Sequence, residues 1–137
     1  MKIVKTKTFE LAVYEKGDKN SSKLAIVIPG RLDTKDYIHN TNLVDYLASR
    51  GYFALSFDPP GTWESPGDIE LYTTTNLIKS VDELIEFFGN KPTLLAGHSR
   101  GGTIAMLAGP KNSHVTHIIP IFSYYGAPSD PSDERIV

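Results

Sequence analysis

The chain has 137 residues, 40% of them hydrophobic and 22% charged, which suits a single soluble domain with a true apolar core. Its net charge of −2, with no basic cluster, gives nucleic-acid binding no electrostatic support. With no cysteine it has neither a disulfide framework nor a thiolate metal site, which fits a reducing, cytoplasmic compartment.

The start, Met1-Lys2-Ile3-Val4-Lys5, alternates polar and apolar residues without a long apolar segment, so no signal peptide is expected. No later stretch approaches the roughly 20 apolar residues of a membrane span, and no membrane association is expected. The alternation runs from Lys2 to Tyr14 and predicts one or two strands, wet on one face. Gly17 to Ser21 is a polar turn cluster. Leu24 to Ile28 is a continuous apolar run, as in a strand covered on both faces, and Pro29-Gly30 ends it.

A helix follows, with Thr34 as its expected cap and with Leu43, Val44 and Leu47 on one face; Gly51 stops it. Tyr52 to Phe57 predicts a second buried strand, ended by Asp58-Pro59-Pro60-Gly61. Leu77, Ile78, Val81, Leu84, Ile85 and Phe88 form the stripe of a stronger amphipathic helix, closed by Gly89-Asn90. Thr93 to Ala96 predicts a short strand, Gly101 to Ala108 a helix of small residues, and His117 to Phe122 a last strand. From Leu24 onward the order is β-α-β-α-β-α-β. It predicts an α/β domain with a mainly parallel sheet and helices on both faces. Residues 124–137, rich in Pro, Asp and Ser, read as loop or the start of a cap.

Gly97-His98-Ser99-Arg100-Gly101 matches G-x-S-x-G, and it has the required context of a strand before and a helix after. A turn that sharp strains the serine backbone, crowds the positions two residues either side, and holds the hydroxyl out at a helix N-terminus. The plainer alternative is a serine cap on a glycine-rich turn. Pro29-Gly30-Arg31 follows the buried strand directly, at the place from which this kind of site draws a second oxyanion donor. The Arg31 and Arg100 amides are therefore the candidate pair.

These residues together resemble the α/β-hydrolase superfamily, in the branch whose turn reads G-H-S-x-G-G. The resemblance reaches from Leu24 to Phe122. It includes the Gly61 and Ser65 positions of a G-x-G-x-S loop whose middle glycine is Trp63 here, and Pro29-Gly30 where His-Gly is common. It implies an α/β-hydrolase fold lacking its last strands, with Ser99 as nucleophile and Arg31 and Arg100 as oxyanion donors. Trp63 would wall the pocket, the substrate would be a small acyl compound, and no cofactor or metal is expected. The family places the catalytic acid and histidine later in the chain, but no histidine follows His117, and Asp130 and Asp133 lie in the polar end segment.

His98 is expected to pack under the turn, His39 to lie on the surface, and His114 and His117 to be structural. The Arg31 and Arg100 side chains would line the pocket, stay solvated, or pair with Asp33 or Glu64. Three readings stay open: a serine hydrolase of ester, thioester or amide type; an acyltransferase of the same fold; and a non-catalytic remnant. With its last strands absent, the sheet is expected to end in an exposed apolar edge suited to self-association.

Overall fold

A computed structural model describes residues 1–124. Six strands form one sheet: β1 (Lys2–Lys5), β2 (Glu10–Lys16), β3 (Leu24–Ile28), β4 (Phe53–Phe57), β5 (Thr93–His98) and β6 (Val115–Ile121). Three helices connect them, α1 (Ile38–Ser49), α2 (Thr74–Phe87) and α3 (Arg100–Ala108), with short 3-10 turns at Ile69–Leu71 and Gly109–Lys111. The strand order is β1-β2-β4-β3-β5-β6. Strands β4, β3, β5 and β6 run parallel, and the β1–β2 hairpin adds antiparallel to β4, so the sheet is mainly parallel.

The continuous apolar runs became the central strands because both of their faces are covered. Every residue of β3 and β4 is buried. On one face Val44 and Leu47 of α1 pack on Ala25, Val27, Ala54 and Ala96. On the other, Leu77, Val81, Leu84 and Ile85 of α2 and Ile104 and Ala105 of α3 pack on Leu11, Ile26, Leu55 and Leu95. Helices thus cover both faces of the sheet, as its β-α alternation requires. None among the described residues is long and apolar enough to cross a membrane.

Two local expectations are corrected. Thr34 does not cap α1: the helix starts at Ile38 with Tyr37 at its N-cap and no side-chain cap bond. The Thr34 hydroxyl instead donates to Asp58 Oδ1 at 2.9 Å, a buried carboxylate that outcompetes a local helix end. The last strand starts two residues earlier than expected, because Val115 already pairs with Thr93. As the outermost strand, β6 is only partly covered, and Ile119, Phe122 and Tyr124 are exposed. The expected roles of Asp130, Asp133 and the segment after Tyr124 lie outside the described residues.

Candidate active site

Strand β3 lies between β4 and β5, so the chain leaves it on one side and returns on the other. Ligands of open α/β sheets bind at the carboxyl ends of strands at such a reversal. In the β3–β5 register Ile28 stands opposite Gly97. The two segments singled out in the sequence, Pro29-Gly30-Arg31 and His98-Ser99-Arg100, therefore emerge side by side at that edge.

Ser99 occupies the junction between β5 and α3 with φ 55° and ψ −120°, and it is exposed. Its hydroxyl does not cap the helix. Its backbone N–H donates to Ile121 O at 2.9 Å, which anchors the turn to β6. The flanking glycines are explained by close approach. A β-carbon on Gly97 would stand 2.4 Å from Gly101 C, and one on Gly101 would stand 1.9 Å from Ile28 O and 2.8 Å from Pro29 O. Arg100 opens α3, where backbone N–H groups point out of the helix end. Its guanidinium donates to Thr74 Oγ1, so its side chain is drawn to the start of α2.

Arg31 is exposed on the turn after β3. The next residue, Leu32, has φ 55°, and both of its backbone groups are held by aromatic side chains. Its N–H donates to Tyr72 Oη at 2.8 Å, and its carbonyl accepts from Trp63 Nε1 at 3.0 Å. Tyr72 is 1% exposed, and burial foremost pushes its hydroxyl pKa up, keeping it neutral. Trp63 is exposed, has φ 46°, and meets the Tyr37 ring edge-on at 6.1 Å. It sits on the rim beside the Arg31 turn. Tyr72 carried no motif, and no local signal in the sequence pointed to it.

Left-handed backbone is concentrated at this edge. Of the non-glycine residues with positive φ among those described, Leu32, Trp63, Ser99 and Phe122 each lie in the segment after β3, β4, β5 or β6; only Asn90, at the end of α2, is elsewhere. Each such residue costs about 1–3 kcal/mol and persists only where its surroundings enforce it.

Below the rim, Asp58 at the end of β4 is fully buried, and both of its oxygens are satisfied. Oδ1 accepts from Thr34 Oγ1 and Lys35 N at 2.9 Å, and Oδ2 accepts from Lys35 Nζ at 3.0 Å and Glu64 N at 3.1 Å. Burial opposes the charge on Lys35, but hydrogen bonds to Glu64, Asp36 and Asp58 outweigh it and hold its pKa above the ordinary value. Ser65 donates to Asp58 O at 2.6 Å and accepts Ala12 N–H at 2.9 Å. Together these bonds fasten the loops after β3 and β4 to each other and to β2.

The histidines sort differently from expectation. His98 is not packed under the turn but exposed, with its ring 5.4 Å from that of His39 and 6.4 Å from that of Phe122. The cause is that side chains alternate along β5, and the last residue projects beyond the sheet. His39 is exposed, as expected, yet its Nε2 lies 2.8 Å from Asp33 Oδ2. Among the described residues neither imidazole hydrogen-bonds the Ser99 hydroxyl. His114 and His117 stand at the start of β6, the opposite edge of the sheet.

Known proteins resemble the chain chiefly in fold. Mouse alpha/beta hydrolase domain-containing protein 10 superposes with a TM-score of 0.71 at 24% identity, over 87% of this chain and 48% of that one. Est1E from Butyrivibrio proteoclasticus, solved with ferulic acid bound, gives 0.71 at 23% identity over 87% and 49%. A thioesterase domain from the curacin biosynthetic pathway gives 0.77 at 20% identity over 93% and 45%. The chain thus spans about half the length of these structures. No curated protein matches it significantly in sequence. The family model for the alpha/beta hydrolase fold matches residues 25–123, and the chain belongs to that family.

Proposed function

We propose that this chain is the nucleophile-bearing part of a serine hydrolase that cleaves a small acyl substrate, an ester, thioester or amide, through an acyl-enzyme on Ser99. The observation that carries this reading is the pairing of Ile28 with Gly97, which brings the Arg31 turn alongside an exposed, strained Ser99. In the proposed step the Ser99 oxygen bonds to the acyl carbon, its proton passes to a base, and the carbonyl oxygen becomes an oxyanion. The Arg31 and Arg100 backbone N–H groups receive that charge. The adduct then collapses: the bond from the acyl carbon to the substrate's alcohol, thiol or amine breaks, and that group leaves with the proton from the base. Water next attacks the acyl carbon, giving its proton to the base. The Ser99 oxygen then leaves, takes that proton back and frees the carboxylic acid. Trp63, bonded to the Leu32 carbonyl beside the Arg31 turn, would wall the pocket. An unassisted serine is a weak nucleophile near neutral pH, so this reading requires a histidine base, with an acid to orient it, beyond those that the described residues bring to Ser99. The exposed β6 edge is where the remaining strands, or a second copy, would pair.

Active-site labelling tests this reading. A fluorophosphonate should add its mass to Ser99 in a longer protein that includes the downstream acid and histidine, and Ser99→Ala should remove both labelling and ester hydrolysis. Residues 1–137 alone should hydrolyse an activated ester very slowly or not at all. Brisk turnover by residues 1–137, or activity that survives Ser99→Ala, would overturn it. Assays with and without an added alcohol or amine separate hydrolysis from transfer to an acceptor.

A further inference from the structure

Three side chains that the proposed chemistry does not use converge at the carboxyl edge: Asp33 from the turn after β3, His39 from the first turn of α1, and His98 from the end of β5. Each offers a ligand atom, and the three atoms all lie within 4.8 Å of one another. His39 Nε2 and the Asp33 carboxylate are already 2.8 Å apart. We propose that Asp33, His39 and His98 form a binding site for one divalent transition-metal ion of borderline character, with zinc as the reference ion.

The donor set fits that class. Two imidazoles and one carboxylate suit zinc and its neighbours rather than calcium or magnesium, which take oxygen ligands. Three protein ligands leave a fourth position for water. Around zinc at about 2.0 Å, tetrahedral ligand atoms are about 3.3 Å apart. The Asp33–His39 contact of 2.8 Å would open by about 0.5 Å as the ion replaces the hydrogen bond, and any closure from the 4.8 Å limit, at most about 1.5 Å, is within reach of surface imidazoles turning about their side-chain bonds. For Nε2 to ligate, its lone pair must face the metal, so His39 would carry its proton on Nδ1.

The support around the ligands is also in place. The Asp33 carboxylate accepts the Gly30 N–H at 3.2 Å, and Asp33 N–H donates to Gly30 O at 3.1 Å, so the carboxylate is oriented by the backbone of its own turn. Hydrogen bonds of this kind to a ligating carboxylate are the usual outer shell of a metal site. Bound metal would tie the β3 turn, the start of α1 and the end of β5 together, one residue from Ser99. It would therefore stiffen the approach of the Gly30 turn to His98, where a β-carbon on Gly30 would already stand 3.2 Å from His98 O. None of this depends on Ser99 being a nucleophile, and binding is read without any activity.

Calorimetric titration of the purified protein with zinc chloride tests the site, with cobalt absorption reporting the coordination. One ion per chain is expected. Removing even an outer-shell partner of a metal costs about 10–100-fold in affinity, so His39→Ala and His98→Ala should each weaken binding by at least about tenfold. Asp33→Asn should do the same while keeping the shape of the turn. The double variant His114→Ala/His117→Ala, at the opposite edge, should bind as the unaltered protein does. Circular dichroism verifies that each variant is folded, which is expected because both ligand histidines are exposed. Absence of one-to-one binding, or binding that survives both His39→Ala and His98→Ala, would overturn the proposal. So would binding lost only in the His114/His117 variant.

Discussion

Gly101 lies against Ile28 so closely that any β-carbon at position 101 would stand 1.9 Å from the Ile28 carbonyl oxygen. The obstacle is the backbone of the central strand, which cannot move aside as a flexible side chain can. Gly101→Ala must therefore push α3 away from β3 or break the turn that carries Ser99. Overpacking of this kind costs about 1–3 kcal/mol and more where the backbone is the obstacle. We expect urea unfolding to show a loss at the top of that range or beyond, with Ser99 no longer labelled by a fluorophosphonate.

Tyr72→Phe should separate positioning from binding. It leaves the Leu32 N–H without its 2.8 Å acceptor at a residue held in left-handed backbone. A lost partner of this kind costs about 1–3 kcal/mol in stability. In the active protein kcat should fall by about tenfold or more as the Arg31 turn loosens, with KM little changed. Wild-type kcat in Tyr72→Phe would show that the turn holds without this bond.

Lys35 and Asp58 form a pair whose side chains are 3% and 0% exposed. Lys35→Met leaves the Asp58 carboxylate buried without its cation, a loss of about 3–5 kcal/mol. The double variant Lys35→Met/Asp58→Asn should be more stable than the sum of the two single losses predicts, and a double-mutant cycle by chemical denaturation measures that coupling. Glu64 and Asp36, about half exposed, should contribute little when replaced singly.

Glu83 clips the β1–β2 turn to α2. Its Oε1 accepts Thr6 Oγ1 at 2.8 Å and Thr8 N–H at 2.7 Å, and its Oε2 accepts Thr8 Oγ1 at 2.6 Å. Burial opposes its charge, but these bonds and Lys79 outweigh it and lower its pKa below the ordinary 4.5. A lowered folded-state pKa adds stability above pH 4.5 and loses it as pH falls through the folded value. Stability of the unaltered chain should therefore decline on acidification below that point, and Glu83→Gln should flatten the decline while lowering stability near neutral pH. Identical acid profiles for the two proteins would show that the clip carries no such linkage.

What was legible in the sequence was local. Apolar runs at Leu24–Ile28 and Tyr52–Phe57, the amphipathic stripe of α2, and the small residues around Ser99 each record their surroundings within a few positions. A strand covered on both faces, a helix with one buried face and a crowded turn each impose their own composition. Those features sufficed for the parallel α/β sheet, the family and the placing of Ser99 at its edge. The contacts that shape the edge were not legible, because they join residues far apart in the chain. Tyr72 reaches back to Leu32, Lys35 to Asp58, and His98 to the Asp33–His39 pair. Such meetings depend on which strands become neighbours, and only the order β4-β3-β5 brings the three turns together. The same tertiary competition drew Thr34 from a helix cap to Asp58 and left His98 facing solvent. Local chemistry offered each of these residues several partners, and the assembled sheet selected one.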